Sequence, residues 1–156
     1  MPKRIVVSKL GSPDVLKYED YTLPNELPST MVRIRQTSIG LNYIDTYHRT
    51  GVYPLPLQLP FCLGLEAAGD VIEVGSKVQN IRVGDRVAYS YSPPLGAYCE
   101  IRDFDADKIV KLPEYISNDE AASILLQGMT VEYLFERLYK LKKDEKFLFH
   151  AAAGGV

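Results

Sequence analysis

Several side chains in this 156-residue chain have the types and spacing to do chemistry, and they fall in three places. Asn42 carries both a hydrogen-bond donor and an acceptor. Tyr47 and Tyr53 stand at the Pro-rich loop 51–60, where flat aromatic rings and hydroxyls together make a wall for a planar ligand. At the far end, the continuous apolar run Phe147-Leu148-Phe149-His150-Ala151 enters Ala152-Ala153-Gly154-Gly155-Val156. A buried parallel strand followed by a glycine-rich turn is how a dinucleotide-binding βαβ unit opens, with backbone N–H groups free to approach a pyrophosphate. Alone, two glycines read more readily as a frayed end.

Metal and thiol chemistry find little here. Two cysteines, Cys62 and Cys99, are too few for a four-thiolate zinc site or a disulfide framework, and they suit a reducing, cytoplasmic setting. His48 and His150 lie far apart with no ligand spacing, so no metal is expected. No basic neighbour is evident to activate either thiol. The net charge is −2 with no Lys/Arg run, which argues against nucleic acid or an anionic membrane as partner. With 46% hydrophobic and 24% charged residues the chain reads as globular, and no apolar stretch is long enough to span a bilayer.

The elements that must position these residues are mainly β in the first hundred positions. Runs 4–8, 31–38, 68–74, 86–90, 96–101 and 108–112 read as strands. The clearest is 31–38, where Val32 and Ile34 alternate with Arg33 and Arg35. Gly75-Ser76 and Gly84-Asp85 mark turns. Many short strands between turns suggest a barrel or sandwich. Near residue 117 the pattern becomes helical: Ser117-Asn118-Asp119-Glu120 has capping-box spacing, and Ala121, Ala122, Leu125 and Leu126 follow. Gly128 is expected to divide two helices or bend one. The run 147–151 reads as a strand buried on both faces.

The stretch Gly64-Leu65-Glu66-Ala67-Ala68-Gly69-Asp70-Val71-Ile72-Glu73-Val74-Gly75-Ser76-Lys77-Val78 resembles the signature of the medium-chain dehydrogenase/reductase superfamily. That signature is Gly-His-Glu, two residues, Gly, five residues, Gly, two residues, Val. Only Leu65, in place of the histidine, departs from it. Gly84-Asp85-Arg86-Val87 and Gly96-Ala97-Tyr98 resemble further stretches of the superfamily. The run from Ile39 to Tyr47 and the run from Phe147 to Val156 are similar to its zinc-free NADPH:quinone oxidoreductase branch, the zeta-crystallin-like proteins.

The resemblance implies a mainly β, α+β fold: a GroES-like, partly open β-barrel over residues 1–125, then helices and the first strand of a truncated Rossmann domain over 126–156. It implies NADPH as cofactor, a quinone as substrate and no zinc, since Asn42 and Leu65 stand where zinc-binding members have ligands. It implies cofactor contacts from Asn42, Tyr43, Ile44, Asp45, Thr46, Tyr47, Gln127, Thr130, Tyr133, Gly154 and Gly155. It places Asn42, Tyr47 and Tyr53 at the reacting centre. Asp45 is read as a helix-start residue. Glu66 is expected to be structural, with a basic partner below the cleft as the alternative; His150 is read as a packed residue, and a core role is the alternative for Tyr133. The sequence reaches only the opening of the phosphate turn, so a piece of a reductase with an incomplete cofactor site, inactive alone, is expected. The alternative is a GroES-like binding module that pairs with a separately encoded Rossmann half or with a second copy of itself.

Overall fold

The computed structural model describes residues 1–53, 58–91 and 95–156. The middle of the Pro-rich loop (54–57) and residues 92–94 lie outside the described residues. The chain begins with β1 (Lys3–Val7), a 3-10 turn (Pro13–Val15), β2 (Leu16–Asp20) and β3 (Met31–Ile39). A short helix α1 (Tyr43–Thr50) follows, then β4 (Phe61–Cys62), β5 (Glu66–Val74), β6 (Arg86–Ser90), β7 (Ile101–Asp105) and β8 (Val110–Lys111). The chain then enters α2 (Asn118–Glu132), which passes into a π-helical turn (Tyr133–Leu138).

The strands form two antiparallel sheets, ordered β2-β1-β4 and β7-β3-β5-β6-β8, which do not close on one another. This is the partly open barrel, mostly β with two α-helices, that the resemblance implies. The alternation in β3 does what period two dictates: Val32 and Ile34 are fully buried. Arg33, on the opposite face, pairs with Asp103 and Glu73, each at 2.7 Å. Val71, Val87 and Tyr89 complete this core, and the Tyr89 ring stacks on Phe104 with centroids 4.0 Å apart.

Helix α2 begins with the expected capping box. The Glu120 N–H donates to Ser117 Oγ at 3.1 Å, and the Ser117 N–H donates to Glu120 Oε2 at 2.8 Å. Ala121 and Ala122 then pack on Ala68 of β5 and Ala88 of β6, and these small side chains let helix and sheet approach closely. Gly40 completes the seam: a Cβ there would lie 2.3 Å from the Ala122 carbonyl oxygen and 2.5 Å from Glu66 Cγ.

Four expectations need correction. Gly128 neither divides nor bends the helix; α2 runs through it, and through residues 125 and 126, before the hydrogen-bonding pattern widens at Tyr133. Of the run 96–101, only Ile101 joins a named strand. Gly96 has φ +141, and the N–H groups of Gly96, Ala97 and Tyr98 turn back onto the carbonyls of Gly64 and Leu63. The run 147–151 forms no strand: Phe147 is 56% and Leu148 81% exposed, and no described strand lies beside them to supply a ladder. His150 is exposed rather than packed.

Candidate functional site

The connection from β3 through Gly40 and Leu41 delivers Asn42 to the start of α1. There the Asn42 N–H donates to Asp45 Oδ2 at 2.9 Å, and the Asp45 N–H donates to the Asn42 carbonyl at 2.9 Å. Asp45 is thus the helix-start residue its position suggested. Tyr98 also donates its hydroxyl to Asp45 Oδ2, at 2.8 Å. Burial nevertheless dominates and raises the Asp45 pKa above the ordinary aspartate value. At the other end Gly51, with φ +82, caps α1 in the left-handed conformation that suits glycine.

With its backbone occupied by the cap, the Asn42 side chain is 8% exposed and faces other elements. Its Nδ2 donates to Glu66 Oε1 at 2.8 Å. Its Oδ1 accepts from Gln127 Nε2 at 2.9 Å. The second Glu66 oxygen, Oε2, accepts the Leu126 N–H at 2.7 Å. One carboxylate, 1% exposed on β5, thereby ties α1 to α2. The basic partner left open as the alternative for Glu66 is not found: the groups bonded to it are neutral N–H donors. Gln127 Oε1 is buried and has no partner.

A cavity of about 440 Å³ lies against this wall. Asn42, Tyr43, Ile44, Tyr53, Gln127, Thr130 and Gly155 line it, which brings together seven of the residues singled out from sequence. The others stand outside the lining. Asp45 is behind the wall, Thr46 Oγ1 donates to the Tyr43 carbonyl at 2.6 Å, and Tyr47 packs edge-on against Tyr43 with centroids 5.3 Å apart. Tyr133 is 53% exposed on the π-helical turn, so a core role is excluded. The Gly154 N–H closes a turn onto the Ala151 carbonyl at 2.7 Å.

Leu65, Tyr91, Leu126 and Val156 also line the cavity, and sequence reasoning missed them as site residues. Leu65 had a signal: it occupies the one position at which the signature motif is broken, and it presents hydrocarbon there, 2% exposed. Behind the wall, His48 is 2% exposed with Nδ1 unpartnered, its ring centroid 5.7 Å from that of Tyr53. Burial lowers its pKa below the usual 6.5. A larger cavity, about 520 Å³, opens between Arg4, Tyr21, Cys62, Cys99 and Arg102 and shares no lining residue with the first. Burial pushes the Cys62 thiol up to about 12 and Cys99 upward as well, which keeps both protonated and weakly reactive. Among the described residues no three His, Cys, Asp or Glu side chains converge as a metal site, and no helix is long and apolar enough to cross a membrane.

Comparison with known proteins turns on residues 28–134, which match the family model of the alcohol dehydrogenase GroES-like domain. The chain belongs to that family. The GroES-like region therefore includes β3, α1, β5 and α2, the four elements that build the Asn42–Glu66–Gln127 wall. Over all 156 residues the chain is 50% identical to a quinone oxidoreductase of Pseudomonas aeruginosa and covers 47% of that protein. Quinone oxidoreductase 1 of Escherichia coli is 48% identical, again over 100% of this chain and 47% of its own length. The chain thus spans about half the length of the curated relatives it matches. Among solved structures, the quinone oxidoreductase of Pseudomonas syringae superposes with a TM-score of 0.90 at 48% identity, covering 99% of this chain and 47% of that one. The Escherichia coli enzyme complexed with NADPH gives 0.89 at 47% identity, covering 97% and 46%.

The residues present fit a nicotinamide. Its carboxamide offers an N–H donor, and the wall holds a buried acceptor without a donor, Gln127 Oε1. Its ring is flat, and Leu65, Tyr43 and Tyr53 supply apolar and aromatic lining.

Proposed function

We propose that this chain forms the GroES-like half of an NADPH-dependent quinone reductase. The observation that carries the reading is the cavity beside Asn42 and Gln127, in a chain that resembles an NADPH-complexed quinone oxidoreductase along nearly all of its length. Bound NADPH would supply a hydride, which with one proton converts a quinone to its hydroquinone. The chain's own residues hold and orient. Gln127, held in place by Asn42, fixes the edge of the nicotinamide by a hydrogen bond, and Leu65 and Leu126 keep water from its ring. Tyr53 stands at the mouth, 55% exposed, where its hydroxyl can donate to a quinone carbonyl. Tyr47 supports Tyr43 from outside the lining. Thr130 and Gly155 close the side nearest α2.

A quinone is a good hydride acceptor without a Lewis acid. The side chains at the two positions read as zinc-ligand sites in relatives, Asn42 and Leu65, offer at best one weak ligand between them. The reading is therefore zinc-free.

The chain has eleven tyrosines and no tryptophan, so its emission reports on the aromatic wall. Reduced nicotinamide mononucleotide, the part of the cofactor that meets this wall, is expected to quench that emission saturably in the purified chain. Tyr43→Leu should reduce the quenched fraction. Quenching that rises linearly with no saturation would refute the reading.

A further inference from the structure

The wall contains a hydrogen-bond chain whose direction can be deduced from donors and acceptors alone. Glu66 accepts at both oxygens, from the Leu126 N–H and from Asn42. The Asn42 group facing Glu66 must therefore be its NH2, which leaves Oδ1 facing Gln127. The Gln127 group facing Asn42 must in turn be its NH2. That leaves Oε1, a pure acceptor, as the free end of the chain, and it is the buried atom without a partner. The order is set from the buried end, because the Leu126 amide belongs to α2 and cannot change its role. The three side chains come from β5, the start of α1 and α2, so no local turn preference accounts for the arrangement.

We propose that Glu66 is a positioning residue that fixes the polarity of the site. Acting through Asn42, it holds Gln127 with its buried carbonyl lacking a donor, so the site selects a ligand that donates an N–H over an isostere that only accepts. Resting on the nicotinamide reading above, this makes the carboxamide NH2 a specificity determinant and assigns that specificity to a carboxylate that does not line the cavity. Glu66→Gln reverses the chain. The carbonyl of the substituted amide must still accept the Leu126 N–H, so its NH2 faces Asn42. Asn42 and Gln127 then both turn over, and Gln127 presents NH2 to the ligand.

The test compares two probes with the purified chain: reduced nicotinamide mononucleotide and its 3-acetylpyridine analogue, which replaces the carboxamide by a ketone with no N–H. Wild-type chain is expected to bind the carboxamide about five- to tenfold more tightly, the worth of one hydrogen bond in a shielded site. In Glu66→Gln the order should invert in favour of the ketone. In the ligand-free wild type, the Asn42 NH2 and the Leu126 N–H share one carboxylate, so a cross-peak between their protons is expected by NMR; it should vanish in the variant. A merely structural Glu66 would weaken both probes equally and leave the ratio unchanged, which would overturn the proposal. So would a wild type that binds the two probes equally. Binding of neither probe would instead refute the nicotinamide reading itself. Should Glu66→Gln fail to fold, Gln127→Met removes the acceptor from a partly buried helix position. Loss of the preference there supports the proposal, and its retention overturns it.

Discussion

Two regions with similar stocks of apolar side chains meet different fates. In the five-stranded sheet, Val32, Ile34, Val71, Val87 and Tyr89 are all 1% exposed or less. Beyond α2, Leu138, Phe147 and Leu148 are 64%, 56% and 81% exposed, although 147–149 is as apolar as any stretch of β3. Hydrophobic sequence supplies the drive to bury, but burial needs a second layer. The sheet is covered on both faces: Ala68 of β5 and Ala88 of β6 pack on α2 on one, and on the other the five side chains pack on one another and on Ile81, Ala97 and Phe104. Phe147 meets the ring of Phe135 edge-on at a centroid distance of 5.1 Å and stays 56% exposed.

The largest test of that contrast lies in the sheet. Ile34→Ala is expected to cost about 2–5 kcal/mol in urea denaturation, the range for a large core side chain cut back in a site that cannot collapse. A cost under about 1 kcal/mol would show that the sheet is not the rigid region. Gly40→Ala should follow, at about 1–3 kcal/mol, since its methyl meets a backbone carbonyl that cannot give way without moving α2. It should also weaken the Asn42–Glu66 bond.

The third effect depends on pH. His48 has a folded-state pKa below 6.5, so the unfolded chain takes up its proton more readily than the folded one. Its contribution to stability is complete above about pH 6.5 and is lost as pH falls through the folded value. The difference in urea midpoint between about pH 7.5 and about pH 5 should therefore narrow in His48→Gln, and an unchanged difference would deny that the residue is buried as described. Last and smallest, Leu148→Ala should shift stability by no more than about 0.5 kcal/mol. A loss as large as that of Ile34→Ala would erase the distinction between the regions.

What the sequence discloses follows the range of each signal. Alternation in β3 and the capping box at Ser117 are local, set within four to eight residues, and both form as read. The signature from Gly64 locates β5 and, by its one departure, points at Leu65. The segment 96–100 reads as a strand from sequence but is not one: the N–H groups of Gly96 and Ala97 both turn onto the Gly64 carbonyl and that of Tyr98 onto Leu63, contacts more than thirty residues away that no local pattern encodes. The same holds for the wall. Asn42 stands out in the sequence, but its bonds span 24 and 85 residues, and the bond from Leu126 to Glu66 spans 60. No periodicity encodes such contacts. A basic partner for Glu66 is the general expectation for a buried carboxylate, where the fold instead supplies two N–H donors.

The central claim is that the wall joining α1, β5 and α2 receives a nicotinamide. Amide-resolved NMR of the chain during titration with reduced nicotinamide mononucleotide tests it most directly. Saturable shifts clustered at Asn42, Tyr43, Leu65, Leu126 and Gln127 are expected. Shifts confined to the larger cavity beside Arg4, Tyr21 and Arg102, or none at all, would contradict it.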